Sequence, residues 1–264
     1  MTASPQRTPM VTVQYSKSEL DEASVLPWFS YQVSQPSDLP PVSARPPLRT
    51  SRLLIRAFVR EDAEALHKLR ADAELQQHSI VRGRPDESLE QTIHNIEQLL
   101  PPYDDCHWYF GAFLAETGEL IGEGGLPDIH GRTTRSGWPE ADFLIARDYQ
   151  RQGYGTELFE AVMTSWWNLP RERRRRQLHP YVIPNHVPGA KLADCVVICH
   201  EAANKPAAAF FGKMAGEDEA ALQGTFEDYD MREGRQQALT QWSGMTLANP
   251  ILFVDPDEGS GDEE

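Results

Sequence analysis

Residues 138–167 read WPEADFLIARDYQRQGYGTELFEAVMTSWW, and the fold prediction starts from them. Residues 143–146 favour a strand, and a short polar turn follows them. After the turn, Leu158, Val162 and Trp166 recur at intervals of four, which lines one face of a helix. The pattern therefore predicts a strand, a turn that contains two glycines, and an amphipathic helix.

The glycine turn is a candidate anion site. The start of a helix exposes backbone N–H groups that the helix cannot pair, and the positive end of its dipole lies there. Phosphate suits such a site best. Gly153 and Gly155 carry no Cβ, so a pyrophosphate can approach the backbone closely. The alternative for the glycine pair alone is a tight turn without a ligand, but the strand before it and the helix after it favour the anion site.

The composition limits the kinds of partner. The chain has 264 residues and a formal net charge of −15, so it repels nucleic acid and anionic membranes at long range. Three cysteines are too few for a disulfide framework and fit a reducing compartment. The first residues, MTASPQRTPM, lack a secretory leader, and no apolar run is long enough to span a bilayer. We expect a soluble monomer or homodimer in the cytoplasm, with the nucleus as the alternative.

Three regions divide the chain. Residues 1–47 contain eight prolines and two apolar islands, 11–15 and 25–29, which predicts an N-terminal extension that docks on the main domain through both islands. Its first ten residues are expected to be loose. Residues 48–250 are predicted to form one domain with the element order β-α-α-β-β-β-α-β-α-β-β. Residues 251–264 are predicted to be an acidic, disordered tail.

With that order in place, residues 48–244 resemble the GNAT family of N-acetyltransferases, most of all the branch that includes ribosomal-protein and small-amine acetyltransferases. Four stretches carry the resemblance: the opening strand 48–56, the first helix around 62–66, the loop Gln150-x-x-Gly153-x-Gly155, and Asn204-x-x-Ala207. It implies an α/β (α+β) protein with the GNAT fold, a mixed, mostly antiparallel sheet of about seven strands flanked by about four helices. It also implies acetyl-CoA as the acetyl donor.

The resemblance assigns the donor site to the loop, to the end of the preceding strand and to Asn204. The amides of residues 152–156 would hold the pyrophosphate, and the strand end would pair with the pantetheine arm. The cofactor-binding residues implied are Leu144, Ile145, Ala146, Gln150, Arg151, Gln152, Gly153, Tyr154, Gly155, Thr156 and Asn204.

Acetyl transfer to an amine requires a base that removes a proton from the ammonium group. Many family members have a glutamate at the position of Glu140, and Asp142 would share its strand face. Glu123, on the neighbouring strand, is a third candidate, and an ordinary solvated acid is the alternative for each. A strand amide near Ile145 would meet the developing oxyanion. Phe211 occupies the position where many members have a tyrosine that protonates the leaving thiolate.

Residues 169–194 are an insertion relative to the family pattern, predicted to be irregular and to line or cover the acceptor pocket. It contains the arginine run 171–176, for which we favour a solvated loop over a nuclear-import or polyanion patch. Cys195 and Cys199 are predicted to be buried free thiols, because the nearby histidines lack the spacing of metal ligands. No metal is expected.

The first hypothesis is therefore an acetyl-CoA-dependent N-acetyltransferase for a primary amine of a small molecule or a peptide N-terminus. The acidic composition favours a cationic acceptor, such as a polyamine, an aminoglycoside-like compound or a basic peptide. The alternative is a non-catalytic GNAT-fold module that binds acyl-CoA or a protein partner.

Overall fold

The structure is a computed structural model that describes residues 11–79, 83–132, 136–179, 191–192, 194–229 and 239–248. Its strands are β1 (Val11–Tyr15), β2 (Phe29–Pro36), β3 (Leu48–Arg49), β4 (Leu53–Arg56), β5 (Trp108–Leu114), β6 (Leu120–Asp128), β7 (Glu140–Ile145), β8 (Arg171–Leu178), β9 (Lys191–Leu192), β10 (Cys195–Glu201), β11 (Ala220–Tyr229) and β12 (Leu239–Ala248). Its helices are α1 (Lys17–Ser24), α2 (Ala63–Arg70), α3 (Ala73–Gln76), α4 (Leu89–Glu97), α5 (Tyr154–Trp167) and α6 (Lys205–Glu219). The predictions for residues 1–10 and 251–264 lie outside the described residues. None of these helices is long and apolar enough to cross a membrane.

Nine strands form the main sheet, in the order β1-β11-β12-β10-β7-β6-β5-β4-β3. Its neighbours are antiparallel except for β1 with β11 and β7 with β10. From β4 to β12, every predicted strand and helix is present in the predicted order, and the structure adds α3, β8 and β9. The sheet exceeds the predicted seven strands because β1, from the N-terminal extension, and the short β3 extend its two edges.

The two faces of the main sheet bury different helices. On one face, α5 packs against the sheet together with residues of β10 and α6. Its predicted stripe of Leu158, Val162 and Trp166 is buried there, because these residues recur once per helical turn. On the other face, α2 and α4 bury residues such as Leu66 and Ile96 against β5 and β7. Along β7, Ile145 belongs to the α5 face and Leu144 to the α2 and α4 face. Side chains alternate along a strand, so Glu140 and Asp142 share the face of Leu144.

A second sheet of three strands, in the order β8-β2-β9, joins the N-terminal extension to the insertion. Strand β2 pairs antiparallel with the whole of β8, from Phe29 opposite Leu178 to Pro36 opposite Arg171. Tyr31, Val33 and Leu178 pack against Trp138 and Val197. The small sheet therefore covers the start of β7 and β10 on the face that carries Glu140.

The prediction of a solvated loop at 171–176 is wrong, because these residues form most of β8. Arg171 forms an ion pair with the buried Asp194 and donates to the Trp166 carbonyl at 2.9 Å. Arg176 donates to the Gly137 carbonyl at 2.7 Å. Arg174 and Arg175 are exposed. Arg171 and Arg176 therefore have structural partners, whereas Arg174 and Arg175 are exposed. The strand forms by pairing with β2, which lies more than 130 residues earlier in the sequence.

Of the two islands predicted to dock, residues 11–15 pair with the main sheet, whereas residues 25–28 of the second are exposed. The island 11–15 pairs in parallel with β11, from Val11 opposite Leu222 to Tyr15 opposite Phe226. In the second island, Val25, Leu26 and Trp28 are exposed, contrary to the prediction. The chain instead continues from this island into β2, whose inward residues make the contact.

Candidate active site

Strands β7 and β10 pair at only two positions, Glu140 with Val197 and Ala141 with Ile198. Beyond Ala141, β7 stays paired with β6 and β10 stays paired with β12. A gap therefore opens between β7 and β10. Each of the two strands stays paired on its other side, β7 with β6 and β10 with β12. The predicted element order contains both strands.

The β7 edge of the gap presents backbone groups to a ligand. The Ala146 amide donates to the Ile121 carbonyl at 2.8 Å on the β6 side. Because successive residues of a strand point their amides in opposite directions, the Ile145 amide faces the gap. The Ile145 carbonyl accepts a hydrogen bond from the Gln150 side chain at 2.8 Å. Gln150 thus ties the glycine turn to the end of β7 rather than presenting its side chain to a ligand.

The glycine turn has the geometry of an anion site. Gly153 precedes α5 with a φ of 87°, a conformation that favours glycine. The first hydrogen bond that closes on α5 runs from the Glu157 amide to the Gly153 carbonyl at 3.1 Å. Among the described residues, the backbone amides of 152–156 have no acceptor. Five donors thus converge at the positive end of a helix of 14 residues.

The two glycines of the turn are constrained differently. A side chain at Gly153 is strained by the positive φ. A Cβ at Gly155 lies at ordinary contact distances, 3.6 Å from Phe210 and 3.7 Å from Ile145. Packing within the protein therefore does not require glycine at position 155. The absence of a side chain there leaves room for a ligand at the turn.

Arg52 clamps the turn from the edge of the sheet, a contact that sequence reasoning missed. Its guanidinium donates to the Gln152 carbonyl at 2.9 Å and to the Glu157 carboxylate at 2.7 Å, and lies 4.2 Å from the centre of the Tyr154 ring. Burial alone would raise the pKa of Glu157, but hydrogen bonds from Thr50 and Arg52 outweigh it and hold that pKa below its ordinary value. Arg52 thus neutralises the acid in the first turn of α5, which would otherwise repel a phosphate.

The three candidate carboxylates share one face of the sheet but have different surroundings. Glu123 lies opposite Leu144, is buried, and binds the Arg70 guanidinium at 2.7 Å. Asp142 accepts a hydrogen bond from Ser79 at 3.3 Å. Glu140 is buried where β7 and β10 separate, and its charge adds to burial in raising the pKa of the Cys199 thiol. Glu140 and Asp142 therefore border the gap, whereas Glu123 is committed to an arginine.

Asn204 and Phe211 have structural partners in α6. The Asn204 side chain accepts a hydrogen bond from the Ala207 amide at 3.1 Å, which caps the start of the helix. Phe211 is buried and packs edge-on against Phe210, with ring centres 5.0 Å apart. In the part of the chain that the structure describes, no three His, Cys, Asp or Glu side chains cluster as a metal site would need.

The family model described as "Acetyltransferase (GNAT) domain" matches residues 52–215, well over half of the chain. The chain belongs to the GNAT acetyltransferase family. The match begins at Arg52, directly before β4, and ends within α6, so it includes β7, the glycine turn and both edges of the gap.

Solved GNAT structures share the fold at low sequence identity. An acetyltransferase from Bacillus anthracis is 13% identical, with a TM-score of 0.52 over 78% of this chain and 100% of that chain. A GCN5-related N-acetyltransferase from Brucella melitensis is 12% identical, with a TM-score of 0.52 over 79% and 81%. An acetyltransferase from Salmonella typhimurium that modifies the N-terminal serine of a 50S ribosomal subunit protein is 15% identical, with a TM-score of 0.51 over 75% and 96%. A search of curated proteins finds no match.

Proposed function

We propose that the protein is an acetyl-CoA-dependent N-acetyltransferase that moves the acetyl group to a primary amine by direct attack on the thioester. The observation that carries the proposal is the combination of the free amides at 152–156 with the gap between β7 and β10. The amides suit a pyrophosphate, and the gap exposes the edge of β7 a few residues away from them.

The residues present fit acetyl-CoA. In the proposal, the amides of Gln152 to Thr156 bind the pyrophosphate, and the free edge of β7 between Leu144 and Ala146 pairs with the pantetheine arm. Arg151 directly precedes these amides, and Tyr154 supplies one of them. Asn204 lies on the far side of the gap, at the head of α6, and its capping bond leaves its amide nitrogen to face a ligand. Acetyl-CoA supplies an activated acyl group, so the protein has only to position it and manage protons.

Glu140 is the proposed general base, directly or through a water, with Asp142 as the second candidate. Either carboxylate takes a proton from the ammonium group, after which the amine forms the new C–N bond and the C–S bond breaks. The Ile145 amide, which faces the gap, stabilises the negative charge that develops on the carbonyl oxygen. Glu123 is the weakest of the three candidates because Arg70 holds its carboxylate.

Attack leaves a second proton on the nitrogen, and in this proposal that proton passes through water to the leaving thiolate, because Phe211 offers no donor. Tyr149 and Tyr154 lie with their rings 6.0 Å apart beside the turn; Tyr149 forms a hydrogen bond with Glu119, and the Arg52 guanidinium lies over the Tyr154 ring. The departing group is a fairly good leaving group, so a side-chain acid is not essential.

Two measurements on the purified protein test the proposal. Calorimetric titration with acetyl-CoA is expected to show one site, and thiol release is expected to depend on an added primary amine. Failure to bind acetyl-CoA would overturn the donor site. Binding without transfer to any amine in a broad panel would favour the non-catalytic module instead.

A further inference from the structure

A row of aromatic rings crosses the gap between β7 and β10. Phe143 lies two residues beyond Ala141, the last residue of β7 that pairs with β10. The centre of its ring lies 5.0 Å from that of Phe159 in α5, and the Phe159 ring lies 6.4 Å from that of Phe211 in α6. Phe211 stacks on His200 of β10, with ring centres 6.1 Å apart and planes that differ by 14°. The row therefore joins the two edges of the gap on the face that carries α5 and α6.

His200 is the polar member of this row. It lies two residues beyond Ile198, where β10 last pairs with β7, so its backbone borders the gap. Side chains alternate along a strand, and the His200 ring therefore lies on the face of Ile198, opposite to the face of Glu140 and Asp142. The gap thus has carboxylates on one face and an imidazole on the other.

The two ring nitrogens of His200 have different surroundings. Nδ1 lies 2.8 Å from the Glu201 carbonyl oxygen, which only accepts hydrogen bonds, so Nδ1 carries the proton in the neutral ring. Nε2 is then an acceptor. It makes no hydrogen bond to a described residue, and it is not one of the polar atoms that the described residues seal from solvent. Packing on Phe211 accounts for a ring at position 200 but gives this nitrogen no role.

The surroundings also keep the ring neutral. Burial lowers the pKa of His200, and the charge of Lys205 at the start of α6 lowers it further, against the hydrogen bond to the Glu201 carbonyl, which raises it. Nε2 therefore gives up readily any proton that it accepts. A group that takes a proton from one atom and passes it to another needs this property.

We propose that Nε2 of His200 carries the second proton from the attacking nitrogen to the leaving thiolate, in place of water. After attack, the nitrogen of the tetrahedral intermediate is positively charged. Nε2 takes one of its protons, and the imidazolium group gives that proton to the sulfur as the C–S bond breaks. Nitrogen and sulfur are bonded to the same carbon, so one ring nitrogen can serve both in turn. The products are an amide and a neutral thiol, and His200 returns to its neutral form. This inference rests on the proposed function.

Replacing His200 with phenylalanine tests this role while keeping the row of rings intact. Thiol release from saturating acetyl-CoA is measured with 1,4-diaminobutane, glycinamide and serinamide, and the most active amine is used for the comparison. His200→Phe is expected to lower turnover about tenfold or more, less than the hundredfold or more typical of such groups because the thiolate leaves fairly easily. Its affinity for acetyl-CoA should stay within about twofold of the wild type. His94→Phe, at an exposed position of α4, is the matched control and should leave turnover unchanged.

Rescue of His200→Ala by small molecules distinguishes proton transfer from packing. Imidazole added to this variant is expected to restore most of the lost turnover. Pyrazole has a ring of the same size but is far less basic, so it can fill the space beside Phe211 without carrying the proton, and it should restore little. Melting temperatures show whether each variant folds.

Nitrogen-15 NMR of the wild type at neutral pH adds a measurement that does not depend on turnover. The proton of the His200 ring is expected on Nδ1, with none on Nε2. The inference is overturned if Nε2 carries the proton, if His200→Phe keeps turnover within about twofold of the wild type, or if imidazole restores no more turnover than pyrazole does.

Failure of the proposed function gives a different result. In that case the wild type itself does not bind acetyl-CoA, or releases no thiol with any of the amines, and the inference falls with it. A wild type that is active while His200→Phe is equally active would overturn the role of His200 alone.

Discussion

Gly155 allows the charge preference of the glycine turn to be measured without straining the backbone. Gly153 is unsuitable for this purpose because its φ of 87° penalises a side chain whatever its charge. At Gly155, by contrast, a Cβ meets Phe210 and Ile145 at ordinary contact distances. Gly155→Asp and Gly155→Asn place side chains of nearly equal size at this point, and they differ by one negative charge.

The expected difference in affinity follows from Coulomb's law. A carboxylate about 5 Å from a phosphate charge, at an effective dielectric constant of about 20, costs about 3 kcal/mol, which is a little over a hundredfold in Kd. The assay is calorimetric titration of both variants with acetyl-CoA at low salt, with melting temperatures to show that both fold. Raising the salt concentration should narrow the difference. Equal affinities of the Asp and Asn variants would show that the pyrophosphate does not bind at this turn.

Three further changes test the base, the clamp and the small sheet. Glu140→Gln is expected to lower turnover by about a hundredfold or more with little change in acetyl-CoA affinity, whereas Glu160→Gln, on the exposed side of α5, should be neutral; equal rates in both variants would exclude Glu140 as the base. Glu157→Gln is expected to cost about 1–3 kcal/mol of stability at neutral pH, a few degrees in melting temperature. The pKa of Glu157 is lowered in the folded protein, so its contribution to stability is present above the ordinary carboxyl pKa and is lost as the pH falls through the folded pKa. The melting temperatures of the wild type and of Glu157→Gln should therefore converge in acid. A difference in melting temperature that stays the same at every pH would contradict this prediction. Tyr31→Ala is expected to destabilise the small sheet by about 3 kcal/mol and to speed hydrogen exchange in β8 more than in α5; unchanged exchange in β8 would contradict its pairing with β2.

Local patterns were sufficient to predict the central elements. The stripe of Leu158, Val162 and Trp166 is a local pattern, and it predicted the helix. The glycines at the start of α5 are local too, and the site for an anion that they indicate stays a prediction. In β6, a shift of register lies beside Gly125, and a Cβ on Gly125 would lie 2.2 Å from the Trp108 carbonyl oxygen. These features are set by backbone conformation and periodicity, which a single sequence records directly.

Features that depend on distant partners were not predictable in this way. The arginine run became a strand only because β2 supplies its hydrogen bonds, and nothing within the run indicates this partner. Glu123 is the weakest candidate base because Arg70, 53 residues earlier, binds its carboxylate. Sequence separation hides each of these contacts.

The most direct test of the account is to incubate the protein with isotopically labelled acetyl-CoA and a mixture of primary amines, and to identify the labelled products by mass spectrometry. The account predicts that the label appears on the nitrogen of at least one amine, in equal amounts with the thiol released, and that Glu140→Gln suppresses both. No labelled amine, in a protein that binds acetyl-CoA at the glycine turn, would contradict the claim that this site transfers acetyl groups.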